Sequence, residues 1–381
     1  MKILICKNDE FGGANYLLER LYLWMKKNDY DVEKCIVSKK IYPIPGVYDL
    51  AVMPAYIHDE VYSLKKRNVE VRSVLMWIMG MGSFQDCYYN PQNKTGLKGL
   101  VTRILARESE KALKTITELD SICFTDVVGR YNTYKNDIYV DELFENDKLI
   151  PIGISLSNKE THQMKSEKLR MCWVGRVSYD FKFIPLKKAL YDTNEYCKLH
   201  SIKAKFTVVG DGDASVEIKN ILSKMDIETE YIPFIEYSAL DDFFSSQDIA
   251  FVMGTSALDA ARNNCPAVVV TPVRFGIDKE LVYYRWIYES KGYSLGEYPG
   301  FDKSTNQIMK NLDEIMDEYL NNDDIPIMCR KYSEQFDENV VFKKLLNIPT
   351  KPINNRLKKH IFRFYVWHKF TRLYLKLKKL H

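Results

Sequence analysis

The chain has only six histidines, none at metal-ligand spacing, and no CxxC pair among its eight cysteines. A structural zinc site or a dithiol redox motif is therefore not expected. Cys6, Cys35, Cys87, Cys123, Cys172, Cys197, Cys265 and Cys329 stand singly, most of them in apolar runs. They read as small core residues of a protein kept in a reducing compartment. Long apolar runs are missing too. The longest, VLMWIMGMG at 74–82, is far short of the ~20 residues a membrane span needs. MKILICK passes directly into polar NDEFGG, so no signal-peptide pattern is expected and the reading is cytoplasmic. Acid is absent after Glu338, where twelve Lys/Arg occur, and the first 338 residues hold 43 basic against 51 acidic residues, a net of −8. An acidic body without a recognition motif argues against nucleic acid as partner, and the basic tail reads as a separate element.

With 46% hydrophobic and 13% aromatic residues, the chain has the material for packed cores, and 381 residues correspond to roughly two to three domains. Apolar runs at 2–6, 32–38, 48–54, 69–79, 121–126 and 148–155 read as strands, with helices between them, including 101–117. After a polar linker, SNKETHQMKSEK (157–168), the alternation restarts. Strands at 169–175, 203–210, 228–234 and 248–254 alternate with helices, and a last strand is expected at 268–270. The expected fold is α/β, with two Rossmann-like doubly wound domains built on parallel sheets. The expected domains are 1–156 and 169–330, followed by a helix at 331–348 and a basic aromatic tail at 349–381. Ligands of such sheets sit at the carboxyl ends of strands, and the cleft between two facing sheets is the default site.

Four strand-to-helix turns carry unusual polar content. Gly12-Gly13 follows the first strand; it is either a plain turn or a place where backbone approaches an anion at a helix start. Gly175 and Arg176, with Lys182 six residues on, put two cations at one strand end, suited to a diphosphate or simply solvated. In VVGDGD, Gly210 lies in a turn that needs no ligand to explain it. In MGTSALDAARNNCPAVVV, Gly254, Thr255 and Ser256 open a helix whose amides suit phosphate. Asp259 in its first turn serves either the helix dipole or ribose hydroxyls.

Taken in order, these motifs resemble the retaining GT-B glycosyltransferases of family four, over nearly all of residues 1–348. KILICKNDEFGGAN is similar to the family's opening strand and Gly-Gly loop, and LIPIGIS to its "viPnGid" segment. Gly175 and Arg176 match "vGRl…K", with Lys182 one residue later than usual, and Val208–Asp213 matches "ivGdGp". DAARNNCPAVV aligns without gaps on "EAmacGlPvv", which places Asp259 at the ribose-binding acid and Asn264 where glycine is usual; Asn accepts left-handed backbone. The family's earlier glutamate is replaced by Phe251, and the loop after VLMWIM has no histidine. The resemblance implies transfer of a hexosyl group from a nucleotide-sugar, UDP- or GDP-linked, with no cofactor and no metal. Arg176 and Lys182 would stabilise the leaving diphosphate. Gly12, Gly13, Gly175, Gly210, Gly254, Thr255, Ser256 and Asp259 would bind the donor. A catalytically inactive nucleotide-binding scaffold and a GT-B sugar-nucleotide epimerase stand as alternatives.

In the tail, Val366, Phe370, Leu373, Leu377 and Leu380 recur at helical spacing, with Lys369, Arg372, Lys376 and Lys379 alongside. Tyr365, Trp367 and Tyr374 suit a membrane interface. Residues 355–381 are thus expected to be a basic amphipathic helix on an anionic membrane surface, which fits a lipid-linked glycan acceptor in bacterial surface polysaccharide assembly at the inner membrane face. A helix packed on the acidic body, or a coiled-coil segment, would use the same pattern.

Overall fold

A computed structural model describes residues 1–9, 13–55, 60–79, 96–134, 147–156, 167–273, 282–296 and 308–378. The chain divides into two units, Met1–Gly153 together with Val341–His381, and Ile154–Val340.

In the first unit, strands β1 (Ile3–Lys7), β2 (Val32–Ile36), β3 (Gly46–Pro54), β4 (Val69–Ile78) and β5 (Ile122–Phe124) form a parallel sheet of order β2-β1-β3-β4-β5. Strands of a parallel sheet are covered on both faces, and this is why ILICK is apolar almost throughout and buried. Helix α1 (Gly13–Lys27) lays Leu17, Leu18, Leu21, Trp24 and Met25 on one face of the sheet. Helices α2 (Glu60–Lys65), α3 (Gly96–Glu118) and α4 (Val127–Tyr134) follow in the chain. VVGRYNTY has poor helix propensity and gives no periodic signal, so α4 is absent from the sequence reading; the Asp126 carboxylate starts it by accepting from the Gly129 amide at 2.7 Å.

The second unit holds β6 (Leu169–Val174), α5 (Phe183–Leu199), β7 (Ala204–Val209), α6 (Ser215–Leu222), β8 (Glu228–Ile232), α7 (Leu240–Ser245), β9 (Ile249–Val252), α8 (Thr255–Arg262), β10 (Ala267–Val270), β11 (Tyr284–Trp286), α9 (Leu312–Asn321) and α10 (Ile325–Glu334). Its sheet order is β11-β10-β9-β6-β7-β8. All neighbours are parallel except β11, a three-residue antiparallel edge strand that the sequence reading misses. Seven of the cysteines are free and buried.

Three expectations are corrected. Residues 148–155 are not a strand. Leu149 makes a single bridge to Phe124 and Ile154 one to Asp337, because Pro151 lacks the donor a ladder requires. Residues 331–348 are not one helix: α10 ends at Glu334 and α11 (Glu338–Leu346) begins anew. Between them the Phe336 carbonyl accepts from the Ile154 amide at 2.8 Å and the Glu338 amide donates to Ile154 at 2.9 Å, taking this backbone out of helical bonding. Val341, Phe342 and Leu345 of α11 then join the first unit's core, with the Phe342 ring edge-on to Trp24 at 5.6 Å.

The third correction concerns the tail. Residues Asn355–Lys378 do form a helix, α12, and a face other than the expected stripe docks on the first unit; of the stripe, the side chains of Val366 and Phe370 are described. Leu357, Ile361 and Phe364 are buried, and His360 Nδ1 lies 3.0 Å from Glu108 Oε2 on α3. Tyr365 is buried with its ring 4.9 Å from Tyr62, so it is not at a free surface. Val366 and Phe370 lie on the exposed side. Leu380 falls outside the described residues.

Candidate functional site

In the second unit, successive strands build outward in opposite directions from one point. β6, β7 and β8 run one way and β9, β10 and β11 the other, so the order reverses between β6 and β9. Such a reversal parts the loops that leave the carboxyl ends of the two strands and opens a crevice for ligand. The loop after β6 carries Gly175, Arg176 and Lys182; the loop after β9 carries Gly254, Thr255 and Ser256. The topology thus brings together at one sheet edge residues about 80 positions apart in sequence.

Asp180 organises the β6 loop. Its carboxylate accepts from the Ser178 hydroxyl at 2.8 Å and from the amides of Phe181 at 2.6 Å and Lys182 at 3.2 Å, and pairs with Arg176 at 3.1 Å. Burial works against its charge, yet these donors hold its carboxyl below the usual range. The sequence reading misses Asp180, although an Asp three residues before a helix, two before its N-cap, is a familiar Asx-turn signal. The Arg176 guanidinium is 65% exposed, available to a ligand.

Lys182 differs from Arg176. It is half-buried, at the N-cap of the 17-residue helix α5, and among the described residues no carboxylate lies within 4.0 Å of its ammonium. Burial, and then the charge of Arg176, push it down to about 8. The positive end of a helix adds to that unfavourable field. Lys182 and two helix starts at one switch point have an unmet demand for an anion, with Arg176, paired to Asp180, exposed beside them.

The glycines divide by role. A Cβ on Gly210 would lie 2.0 Å from the Gly175 carbonyl oxygen, and one on Gly212 would lie 2.2 Å from that of Val177. These two glycines let the loops after β6 and β7 interlock, fixed by Val177 N–H to Asp211 O at 3.0 Å and Ala214 N–H to Val177 O at 3.1 Å. Loop contact therefore explains Gly210 without a ligand. Gly254 has φ +63° with open space around a would-be Cβ. There the backbone angle demands glycine, and α8 starts immediately after it. The Ser256 hydroxyl donates to Met253 O at 3.0 Å, while Thr255 is exposed.

Asp259 is buried in α8, its carboxylate 3.1 Å from Arg262 Nε. Arg262 also donates to Asp241 at 2.5 Å and to Ser155 O at 3.1 Å, and Asn263 donates to Asp241 at 2.9 Å. Arg262 is the hub of this network and is absent from the sequence reading, though the i, i+3 spacing in DAAR signals the pair. Asn264 takes φ +57°, the left-handed conformation expected where glycine is usual. Phe251 is fully buried, stacked on Phe206 at 5.7 Å. In the first unit Gly13 opens α1 after β1, which lies at that sheet's own reversal, between β1 and β3; Gly12 lies outside the described residues. Among the described residues no cluster of His, Cys, Asp or Glu is placed to hold a metal ion.

No family model matches the chain, and no curated protein sequence matches it. Solved structures do. One described as trehalose-6-phosphate from E. coli bound with UDP-2-fluoro glucose aligns at TM-score 0.51 and 11% identity, over 96% of this chain and 99% of that one. S. aureus TarM, a point mutant in complex with fondaparinux, alpha-GlcNAc-glycerol and UDP, aligns at 0.45 and 12% over 88% of this chain, which spans 59% of the TarM chain. The lipopolysaccharide outer core galactosyltransferase WaaB, in its apo form, aligns at 0.42 and 10%, over 91% and 99%. At such identities the likeness is one of fold, and the first comparison carries it. Two α/β units on parallel sheets, with order reversals at β1/β3 and β6/β9, have the GT-B fold.

Proposed function

We propose that this chain is a glycosyltransferase that moves a sugar from a nucleoside diphosphate donor to a glycan acceptor. The observation that carries the reading is the Lys182 ammonium, half-buried at the sheet's switch point with no carboxylate within 4.0 Å among the described residues. A nucleoside diphosphate is the anion that fits such a place, with Arg176 as the exposed fork and the α8 start as a further donor of amides.

In the reaction the bond from the anomeric carbon to the diphosphate oxygen breaks and a bond to the acceptor oxygen forms. Negative charge gathers on the leaving diphosphate, where Lys182 and Arg176 stabilise it more in the transition state than in the ground state. The acceptor's proton passes to the departing phosphate, and this needs no protein base. Retention of configuration and a family-four affiliation belong to this reading, on the strength of the motifs around Gly175, Arg176 and Asp259. Asp259 would take the ribose hydroxyls, its carboxylate oriented by Arg262.

Thermal shift with UDP, GDP, CDP, ADP and dTDP tests the site. One nucleotide is expected to raise the Tm of wild type and to lose at least half of that effect in Arg176→Ala. No shift with any of them at millimolar concentration would sink the reading. An inactive nucleotide-binding scaffold is the second reading, favoured by Phe251, whose buried ring supplies no carboxylate to a donor sugar. Donor turnover by the purified chain decides between the two.

The acceptor is proposed to be lipid-linked. No described helix is long and apolar enough to cross a membrane, but α12 exposes Lys358, Lys359, Arg363, Val366, Lys369 and Phe370 on its undocked side. Cations near an anionic leaflet contribute about 1 kcal/mol each. Reversing two of them, Lys358→Glu with Lys359→Glu, is expected to weaken binding to phosphatidylglycerol vesicles roughly ten-fold or more. Equal cosedimentation with neutral and anionic vesicles would count against the membrane surface as partner.

A further inference from the structure

Trp173 lies on β6, 1% exposed, and its indole Nε1 has no hydrogen-bond partner among the described residues. A buried donor in that condition is costly unless an acceptor reaches it. Residues two apart on a strand share a face, so the indole stands beneath position 175, where there is no side chain. A Cβ built on Gly175 would lie 3.5 Å from Trp173 Nε1 and 3.1 Å from Lys182 Nζ. An indole N–H and an ammonium are both donors without acceptor capacity. Here the two flank one gap and no acceptor joins them. A side chain at 175 would fill the gap; glycine keeps it open.

We infer that Trp173 is a second donor of the phosphate subsite: its indole N–H and the Lys182 ammonium share one phosphoryl oxygen of the bound diphosphate, and position 175 is glycine to admit that oxygen. This rests on the reading of the site as a diphosphate site and adds to it a buried neutral donor. Arg176 grips the diphosphate from the solvent side, whereas Trp173 reads how deeply an oxygen is seated.

The test uses the full chain labelled with ¹⁵N at its five tryptophan indoles, titrated with inorganic pyrophosphate. One indole resonance, assigned by its loss in Trp173→Phe, is expected to move downfield with pyrophosphate and to stay still in Lys182→Met. Trp173→Phe is expected to weaken pyrophosphate binding about ten-fold and to lower the ligand-free Tm only by what the smaller buried ring costs, offset in part by the removal of an unpartnered donor. Gly175→Ala is expected to weaken binding similarly. If pyrophosphate binds wild type in a Lys182-dependent way while the Trp173 resonance stays fixed and Trp173→Phe binds equally well, the inference is overturned and the diphosphate site stands. If wild type binds no pyrophosphate, both are overturned. The resonance shift is read on wild type, so the result does not depend on how well Trp173→Phe folds.

Discussion

Lys182→Met is expected to raise the Tm of the protein at pH 7 by roughly 4–8 °C while removing its stabilisation by nucleotide. The folded protein holds this ammonium at about 8 against an ordinary 10.5. Between those values the unfolded chain binds more protons than the folded one, so stability rises with pH through that window. Below pH 8 the charged lysine costs the fold on the order of 2–3 kcal/mol; above 10.5 the cost has vanished. Methionine keeps the length and apolar body of the side chain and removes the charge. The Tm gap between variant and wild type should therefore be widest below pH 8 and close toward pH 10. Nucleotide binding runs the other way: the charged form holds the diphosphate, so the ligand-induced shift in wild type should fade as pH rises past about 8. A variant less stable than wild type at every pH would show the ammonium to be satisfied within the fold, and would remove the main support for the site.

Such a destabilising cation is difficult to read from sequence alone. VGRVSYDFK announces two cations near a strand end, and the spacing leaves a solvated pair as an equal reading. Only the fold shows that one is exposed and paired with Asp180 while the other is drawn in at a helix start. The strands were legible where burial on both faces makes them continuous apolar runs, as in ILICK and AVVV. The helix Val127–Tyr134 was not, because its residues have little helical preference and its start depends on one Asp126 contact. Nor was the break at residues 335–337, which follows from a partner distant in sequence, Ile154. Asn264 was legible through the family resemblance, which puts it where glycine is usual, and Asn tolerates the left-handed angle. The tail shows a different limit. Its apolar residues repeat on two faces of one helix, and periodicity does not say which face finds a partner; the Glu108–His360 pair and the Tyr62 ring settle that for Leu357, Ile361 and Phe364.

Gly210→Ala is expected to be the most damaging small substitution in the second unit, and Gly254→Ala a lesser one. Both glycines have positive φ, +138° and +63°, so backbone angle alone does not rank them. Their surroundings do. A Cβ at 210 would stand 2.0 Å from the backbone oxygen of Gly175, which cannot move without breaking the Gly175 amide's bond to Val209 O at 3.0 Å. At 254 the same methyl meets nothing within 4 Å. Adding overpacking to backbone strain, Gly210→Ala should cost about 3–5 kcal/mol and lower Tm by roughly 6–15 °C. Gly254→Ala should cost about 1–3 kcal/mol, the strain term alone, since φ +63° with ψ −135° is a conformation only glycine adopts readily. Binding should rank them in a second way. Gly210→Ala forces apart the loop that carries Arg176 and Lys182, so the nucleotide-induced shift should be lost even at temperatures where the variant remains folded. Gly254→Ala should lose only part of that shift: φ +63° with ψ −135° is glycine's own conformation, and relieving the strain turns the Thr255 and Ser256 amides at the start of α8 without parting the loops. Melting curves with and without nucleotide for the two variants test the ranking. Equal losses of stability would mean that the two loops separate easily, and that Gly210 serves the ligand rather than the contact with Gly175.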